Sequence, residues 1–249
     1  MTSDTVVVDV SQDWVEACGV QQRFMEALDQ PLETLDYSGR CRQVRALGGD
    51  CYSFVPLEEG RLGLAIADAS GKGLAAALMI SNVQSSLHTA AFFNANGPAE
   101  VLRAVNRQVY ASSLEGRYAT LFYGVFDRAT RRLRYVNAGH NPPMVIRRDG
   151  SSVSLCSGGA PVGMFPDWTY VEDAVQLIPG DLVLAYTDGV TEAEKPAGEE
   201  WGVEGLRRTM VECDRKPTDE ITNAIFDAMD EFSRGRQTDD ATVALLRVS

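Results

Sequence analysis

Positive charge is scarce in this chain. Lysine and arginine number 23 against 35 aspartates and glutamates, a formal net charge of −12 over 249 residues. A surface of that sign repels nucleic-acid backbones and anionic lipids, so neither a nucleic-acid nor a membrane partner is expected. Histidine is scarcer still, with two, and the five cysteines (Cys18, Cys41, Cys51, Cys156 and Cys213) make no C-x-x-C pair. A zinc site therefore lacks its ligands, and scattered, odd-numbered thiols read as the reduced cysteines of a cytoplasmic protein. Long apolar runs are absent: the longest, residues 74–80, is far too short to cross a bilayer. Residues 1–10 hold acids, with neither the basic start nor the apolar core of a signal peptide. Linkers, low-complexity tracts and internal repeats are missing too. With 45% hydrophobic residues, the chain can bury one sizeable core.

The apolar pattern predicts a helix over residues 11–30, with Trp14, Cys18, Val20, Phe24, Met25 and Leu28 along one stripe. Strands follow over 33–68. Asp36-Tyr37-Ser38-Gly39 supplies turn chemistry, and Glu58-Glu59-Gly60-Arg61 reads as a hairpin loop between 52–57 and 62–68. Helices are expected over 73–93 and 98–113, broken at Asn96-Gly97-Pro98. A strand-rich block follows at 118–127, 133–137, 143–148, 152–156, 170–177 and 181–187, with a hairpin turn at Arg148-Asp149-Gly150. Helices at 202–213 and 217–232 precede a last strand at 241–248. Antiparallel strands with helices inserted in pairs predict an α/β (α+β) sandwich: two mainly antiparallel sheets face to face, flanked by helices. Alternating βαβ units are missing, which excludes a doubly wound parallel sheet. Residues 1–30 would form an N-terminal helical segment and 31–249 the main domain.

Asp68-Ala69-Ser70-Gly71-Lys72-Gly73 follows an apolar run and precedes an alanine-rich helical segment. A phosphate-binding loop needs G-x-x-x-x-G-K-[ST]. Here Gly71-Lys72 is followed by Gly73, and the residue five before Gly71 is Ile66, so the spacing fails. Asp68 then becomes the feature, either as a turn-capping acid or as a working carboxylate at a sheet edge. The arrangement recurs, since the run from Asp181 to Thr187 ends on Asp188-Gly189, and Asp239-Asp240 stands just before the last strand. Antiparallel neighbours bring strand ends beside strand starts, so these acids can meet at one edge, and Gly48-Gly49-Asp50 adds a fourth. Gathered carboxylates repel unless a cation holds them, and oxygen-only ligands select Mg²⁺ or Mn²⁺. Two such ions about 3.5–4 Å apart can clamp a phosphate ester and activate a bridging water for in-line attack.

These residues resemble the PPM (PP2C-like) metal-dependent serine/threonine phosphatases, in their bacterial SpoIIE/RsbU branch. The resemblance rests on Gly48-Gly49-Asp50, Asp68 to Gly73, Asn137-Ala-Gly-His-Asn-Pro-Pro143, Gly159-Ala-Pro-Val-Gly163, Pro179-Gly-Asp181 with Tyr186-Thr-Asp-Gly-Val190, and Asp239-Asp-Ala-Thr242, in the family's order. It implies that Asp68 bridges two divalent cations, Mn²⁺ or Mg²⁺, with the Ala69 backbone carbonyl completing one shell. Asp188 and Asp239 would bind the second ion, and Asp50 would join it or hold its water. The implied substrate is phosphoserine or phosphothreonine on a protein, typically a STAS-domain anti-sigma-factor antagonist in a partner-switching circuit of sigma-factor regulation. The sequence departs from the branch at Cys51 and Ser53, where a tyrosine and an aspartate are usual. Ser70 lies near where eukaryotic relatives carry a histidine assigned as general acid. The leaving-group proton would then come from metal-bound water.

Other residues carry two readings each. His140 either reaches the substrate or fixes its proline-rich loop by hydrogen bonds. Lys72, a cation at a helix N-terminus, opposes the helix dipole and faces the substrate phosphate, an acidic partner or solvent. Asp240 competes with Asp239 as ligand, and the family pattern selects Asp239. Glu192 and Glu194 read as solvated loop acids. The 11–30 helix is packing, a homodimer seam or a switch for an upstream regulatory protein, because no sensor domain fits ahead of the first strand. Two other readings compete with a PPM-type phosphatase. One is a phosphatase-like module that sequesters a phosphoprotein without turnover, opposed by the intact Asp68, Asp188 and Asp239. The other is a haloacid-dehalogenase-type phosphatase, which needs an acid where Val190 stands.

Overall fold

The computed structural model describes residues 10–26, 35–93, 97–213 and 215–248. Helix α1 (Val10–Glu26) comes first, followed by β1 (Asp36–Arg42), β2 (Asp50–Pro56) and β3 (Arg61–Ala69). Helices α2 (Leu74–Phe93) and α3 (Pro98–Ser112) precede β4 (Ala119–Asp127), β5 (Arg132–Ala138), β6 (Met144–Ile146), β7 (Ser152–Ser154), β8 (Gly158–Gly159), β9 (Asp173–Gln176) and β10 (Leu182–Tyr186). The chain closes with α4 (Asp188–Thr191), α5 (Gly202–Glu212), α6 (Thr218–Ser233) and β11 (Ala241–Arg247).

One sheet has the order β1-β11-β10-β6-β7 and the other β2-β3-β4-β5-β8, with β9 added alongside β5. The strand pairs are antiparallel apart from β5 with β8. Side chains alternate across each strand, so a strand covered on both faces must be apolar throughout. Leu64 and Ile66 of β3 point between the sheets, with Phe122, Val183, Ala185, Ala244 and Leu246. Ala65 and Ala67 point the other way, under Ile80, Val83 and Val105 of α2 and α3. In the second sheet Leu184, Val243 and Leu245 face Leu206, Ile225 and Phe226 of α5 and α6. The layers are therefore helix, sheet, sheet, helix, as the sequence predicts.

Local structure differs from the expectation at several points. Residues 36–39 are strand, not turn. Gly39 lies under the Tyr52 ring, where a Cβ would come within 2.1 Å of Cε2, and the Tyr52 hydroxyl donates to the Gly39 carbonyl at 3.0 Å. Pairing with β11 from Asp36↔Arg247 onward overrides the turn propensity. The strand at 143–148 shortens to β6: Pro143 has no N–H to donate, and Arg147 opens the hairpin turn, where its carbonyl accepts Gly150 N at 2.9 Å. Asp188 to Thr191 forms a short helix. On α1, Trp14, Val20 and Phe24 of the stripe are exposed, as is neighbouring Val15, while Gln21 is buried. Met25 and Leu28 of that stripe lie outside the residues whose side chains are described. Among the described residues no helix is long and apolar enough to cross a membrane.

Candidate metal centre

The two sheets meet at one edge through carboxylates. β2 and β3 pair so that Asp50 lies directly opposite Asp68. Asp50 is buried, and its Oδ2 accepts two hydroxyls from the other sheet, Thr187 Oγ1 and Thr242 Oγ1, both at 2.7 Å. Those threonines are themselves fixed: Thr187 N donates to the Thr242 carbonyl at 3.0 Å, and Thr242 N to Thr187 Oγ1 at 2.9 Å. Burial, then the charge of Asp68, pushes the Asp50 carboxyl well above the usual range, while the two hydroxyls pull it down.

Asp188 follows β10, and Asp239 and Asp240 precede β11, so the register brings all three to this edge. Gly189 makes the approach possible, since a Cβ there would lie 1.9 Å from the Asp240 carbonyl oxygen. Burial, then Asp188, Asp239 and Asp240 in turn, raises Asp68 to about 7. Asp188 is raised by burial and by Asp239. Asp240 is committed elsewhere: its Oδ1 accepts Val44 N at 2.7 Å and its Oδ2 accepts Gly49 N at 2.8 Å, pinning the loop that carries Asp50. Asp239 keeps its Oδ2 toward Lys72, whose Nζ donates to it at 2.5 Å and to the Thr238 carbonyl at 3.4 Å. Lys72 is thus paired with a carboxylate of the cluster, and this contact is the largest cause of its raised pKa. Among the described residues no three histidine, cysteine, aspartate or glutamate side chains are drawn tightly enough to hold a metal ion as arranged. Donor chemistry still fits a hard divalent cation: the set is oxygen-only, and its members raise one another's pKa, a repulsion that a cation relieves.

The remaining expected residues separate clearly. Ala69 donates its N–H to the Gly49 carbonyl at 2.9 Å, tying the Asp68 strand end to the Asp50 loop. His140 is buried, with Thr120 Oγ1 at 2.9 Å from Nδ1 and the Tyr186 carbonyl accepting from Nε2 at 3.1 Å. Burial lowers its pKa to about 4, so the ring is neutral. Both nitrogens meet scaffold partners, which favours the loop-fixing reading of His140 over substrate contact. Asn137 completes that corner, accepting His140 N at 2.7 Å and donating to the His140 and Leu155 carbonyls. Ser70 Oγ accepts Tyr118 N at 3.0 Å, which fixes the position of its hydroxyl. Glu192 is solvent-exposed, as a loop acid should be.

Three contacts went unforeseen. Gln21 of α1 donates to the Gly48 carbonyl at 2.8 Å and accepts Gly48 N at 3.2 Å and Gln43 Nε2 at 3.0 Å. The N-terminal helix is therefore clamped to the loop that carries Asp50. The other two are guanidinium groups beside the Ser70–Gly73 turn. Arg117 donates to the Ser70 carbonyl at 2.9 Å, and Arg45 stands where a Gly73 Cβ would lie 3.2 Å from it. A glutamine among apolar stripe positions was the only available signal for Gln21, and the arginines gave none.

Comparison with known proteins agrees with this geometry. The family model described as stage II sporulation protein E (SpoIIE) matches residues 58–249. Protein IcfG of Synechocystis is 29% identical over 219 residues, covering 77% of this chain and 34% of IcfG. Phosphoserine phosphatase RsbU of Bacillus subtilis is 27% identical over 232 residues, covering 93% of this chain and 68% of RsbU. The chain thus spans about a third of IcfG and about two thirds of RsbU. The solved SiaA-PP2C domain of Pseudomonas aeruginosa superposes with a TM-score of 0.82 at 21% identity, covering 96% of this chain and 97% of that one. At that identity the likeness speaks for the fold.

Proposed function

The chain belongs to the SpoIIE family of PP2C-like phosphatase domains, and from that premise we propose that it is a divalent-metal-dependent protein phosphatase acting on phosphoserine or phosphothreonine. The observation that carries the reading is the edge where Asp50 faces Asp68 while the negative charges of Asp188 and Asp239 crowd against Asp68 and raise its pKa. Asp68, Asp188 and Asp239 would hold Mn²⁺ or Mg²⁺, with Asp50 and the Ala69 carbonyl completing the set. Bound there, divalent cations supply the positive charge that neutralises a phosphate ester and activates water.

The chain's own residues do the rest. Thr187 and Thr242 orient Asp50, and Asp240 sets the height of its loop. Lys72 neutralises Asp239 in the metal-free arrangement; with cations present its ammonium is free to face the phosphate, beside Arg45 and Arg117. His140 is neutral with both ring nitrogens engaged by the scaffold, and a serine hydroxyl such as that of Ser70 is too weak an acid to supply the proton. We assign the leaving oxygen's proton to water at the site.

For the substrate we propose a phosphorylated STAS-domain anti-sigma-factor antagonist in the cytoplasm. The Gln21 contact supports a regulatory role for α1: its exposed Trp14, Val15 and Val20 would receive an upstream protein or a second copy, and Gln21 would relay the event to Asp50. The Lys72–Asp239 pair is the one observation favouring the rival, a module that sequesters its phosphoprotein without turnover. Incubation with the host's phosphorylated STAS proteins and Mn²⁺, followed by mass spectrometry, tests the proposal. Loss of phosphate from one of them is expected. Retention on all of them would overturn the substrate assignment, and retention with tight binding would establish the rival.

A further inference from the structure

A second charged site lies at the opposite end of the β10–β11 sheet. Its sign is the reverse of the chain's, since four arginines, Arg147, Arg148, Arg215 and Arg247, line one cavity of about 450 Å³. β11 runs from the carboxylate edge at Ala241 to Arg247, six residue steps or about 20 Å. Arg247, Leu182 and Ile146 occupy one register row across β11, β10 and β6, so sheet backbone fixes the cavity floor.

Two of the four guanidinium groups are aimed by buried or backbone acceptors. Arg147 pairs with Asp181, which is fully buried in the Pro179-Gly180-Asp181 turn, and donates to the Gln176 carbonyl at 3.2 Å. Arg247 pairs with Asp36 at 3.1 Å and donates to the Lys216 carbonyl at 2.5 Å. Arg148 lies over Gly180, where a Cβ would sit 2.1 Å from its Nε. Among the described residues Arg148 and Arg215 form no hydrogen bond or ion pair, and Asp149, next in sequence, is turned onto Ser151. Among the described residues two held guanidiniums and two solvated ones thus converge on one cavity, and in a chain of net charge −12 this concentration of positive charge attracts anions.

We propose that this cavity is a binding site for a small phosphate-bearing anion, separate from the catalytic edge. Guanidinium forks match phosphate oxygens two at a time, and the cavity volume is that of a small-ligand pocket. Among the described residues the lining holds no aromatic ring on which a base could stack, so recognition rests on the phosphate groups. Binding there would hold together the β6–β7 hairpin turn at Arg148, the segment before α6 at Arg215 and the end of β11. The site does not depend on phosphatase activity.

The test is calorimetric titration of metal-free protein with inorganic pyrophosphate at low salt, with parallel arms of inorganic phosphate and ADP. Without divalent cations the carboxylate edge repels these anions, so it does not contribute. Saturable binding is expected, weakened about tenfold or more in Arg148→Glu/Arg215→Glu and unchanged in Asp188→Asn. These two arginines are exposed and, among the described residues, make no hydrogen bond or ion pair, so the variant should fold, which circular dichroism checks. ADP binding much tighter than pyrophosphate identifies a nucleotide as the source; equal affinities identify phosphate alone. No heat from any of the three up to millimolar concentration, or binding undiminished in the folded double variant, would overturn the site.

Discussion

Asp50 and Asp68 face each other across the β2–β3 pair, and the first is anchored to the opposite sheet by Thr187 and Thr242. A carboxylate in one sheet thereby fastens the edge of the other. Removing either hydroxyl leaves a buried oxygen short of a donor. Thr187→Val and Thr242→Val should each cost about 1–3 kcal/mol, and the double variant less than the sum, because both serve one atom. Denaturant unfolding of the four proteins measures this.

Asp68 gives the metal-free protein a pH dependence of unusual sign. Unfolded, the carboxyl releases its proton near 3.8, whereas folded it holds it up to about 7. The folded state binds more protons across that window, so stability falls as pH rises through it. Melting temperatures in chelator should drop between those limits, and Asp68→Asn should flatten the slope. Mn²⁺ should reverse it by favouring the charged carboxylates.

Lys72 and Asp239 form a half-exposed ion pair, worth about 0–1 kcal/mol. Lys72→Met should therefore leave the melting temperature nearly unchanged. It also removes a cation that competes for Asp239, so Mn²⁺ should bind more tightly in a calorimetric titration. Weaker Mn²⁺ binding would show that Lys72 helps to form the site.

Gln21 is the contact between α1 and the Asp50 loop. Gln21→Ala should lower Mn²⁺ affinity and turnover together, at a stability cost of about 1 kcal/mol. A loss of stability with unchanged Mn²⁺ affinity would reduce the contact to packing.

Much of this was legible before any coordinates. β3 and β10 read as continuously apolar because each is covered by a sheet on one side and helices on the other, and their terminal acids marked the edge. What stayed hidden depended on long-range pairing. Asp36 to Gly39 has turn composition, yet β11 and the Tyr52 ring make it strand. The family pattern selects Asp239 over its neighbour Asp240, but only the Val44 and Gly49 amides show what Asp240 does instead. Gln21 and the four distal arginines are unremarkable in sequence, since the residues that meet them lie far along the chain.

The most direct test of the metal-centre reading is hydrolysis of p-nitrophenyl phosphate by wild type and Asp188→Asn, with and without Mn²⁺. Turnover that requires Mn²⁺ and falls on the order of a hundredfold or more in the variant is predicted. Turnover in chelator, an unaffected Asp188→Asn protein, or no turnover with any divalent cation would contradict the account.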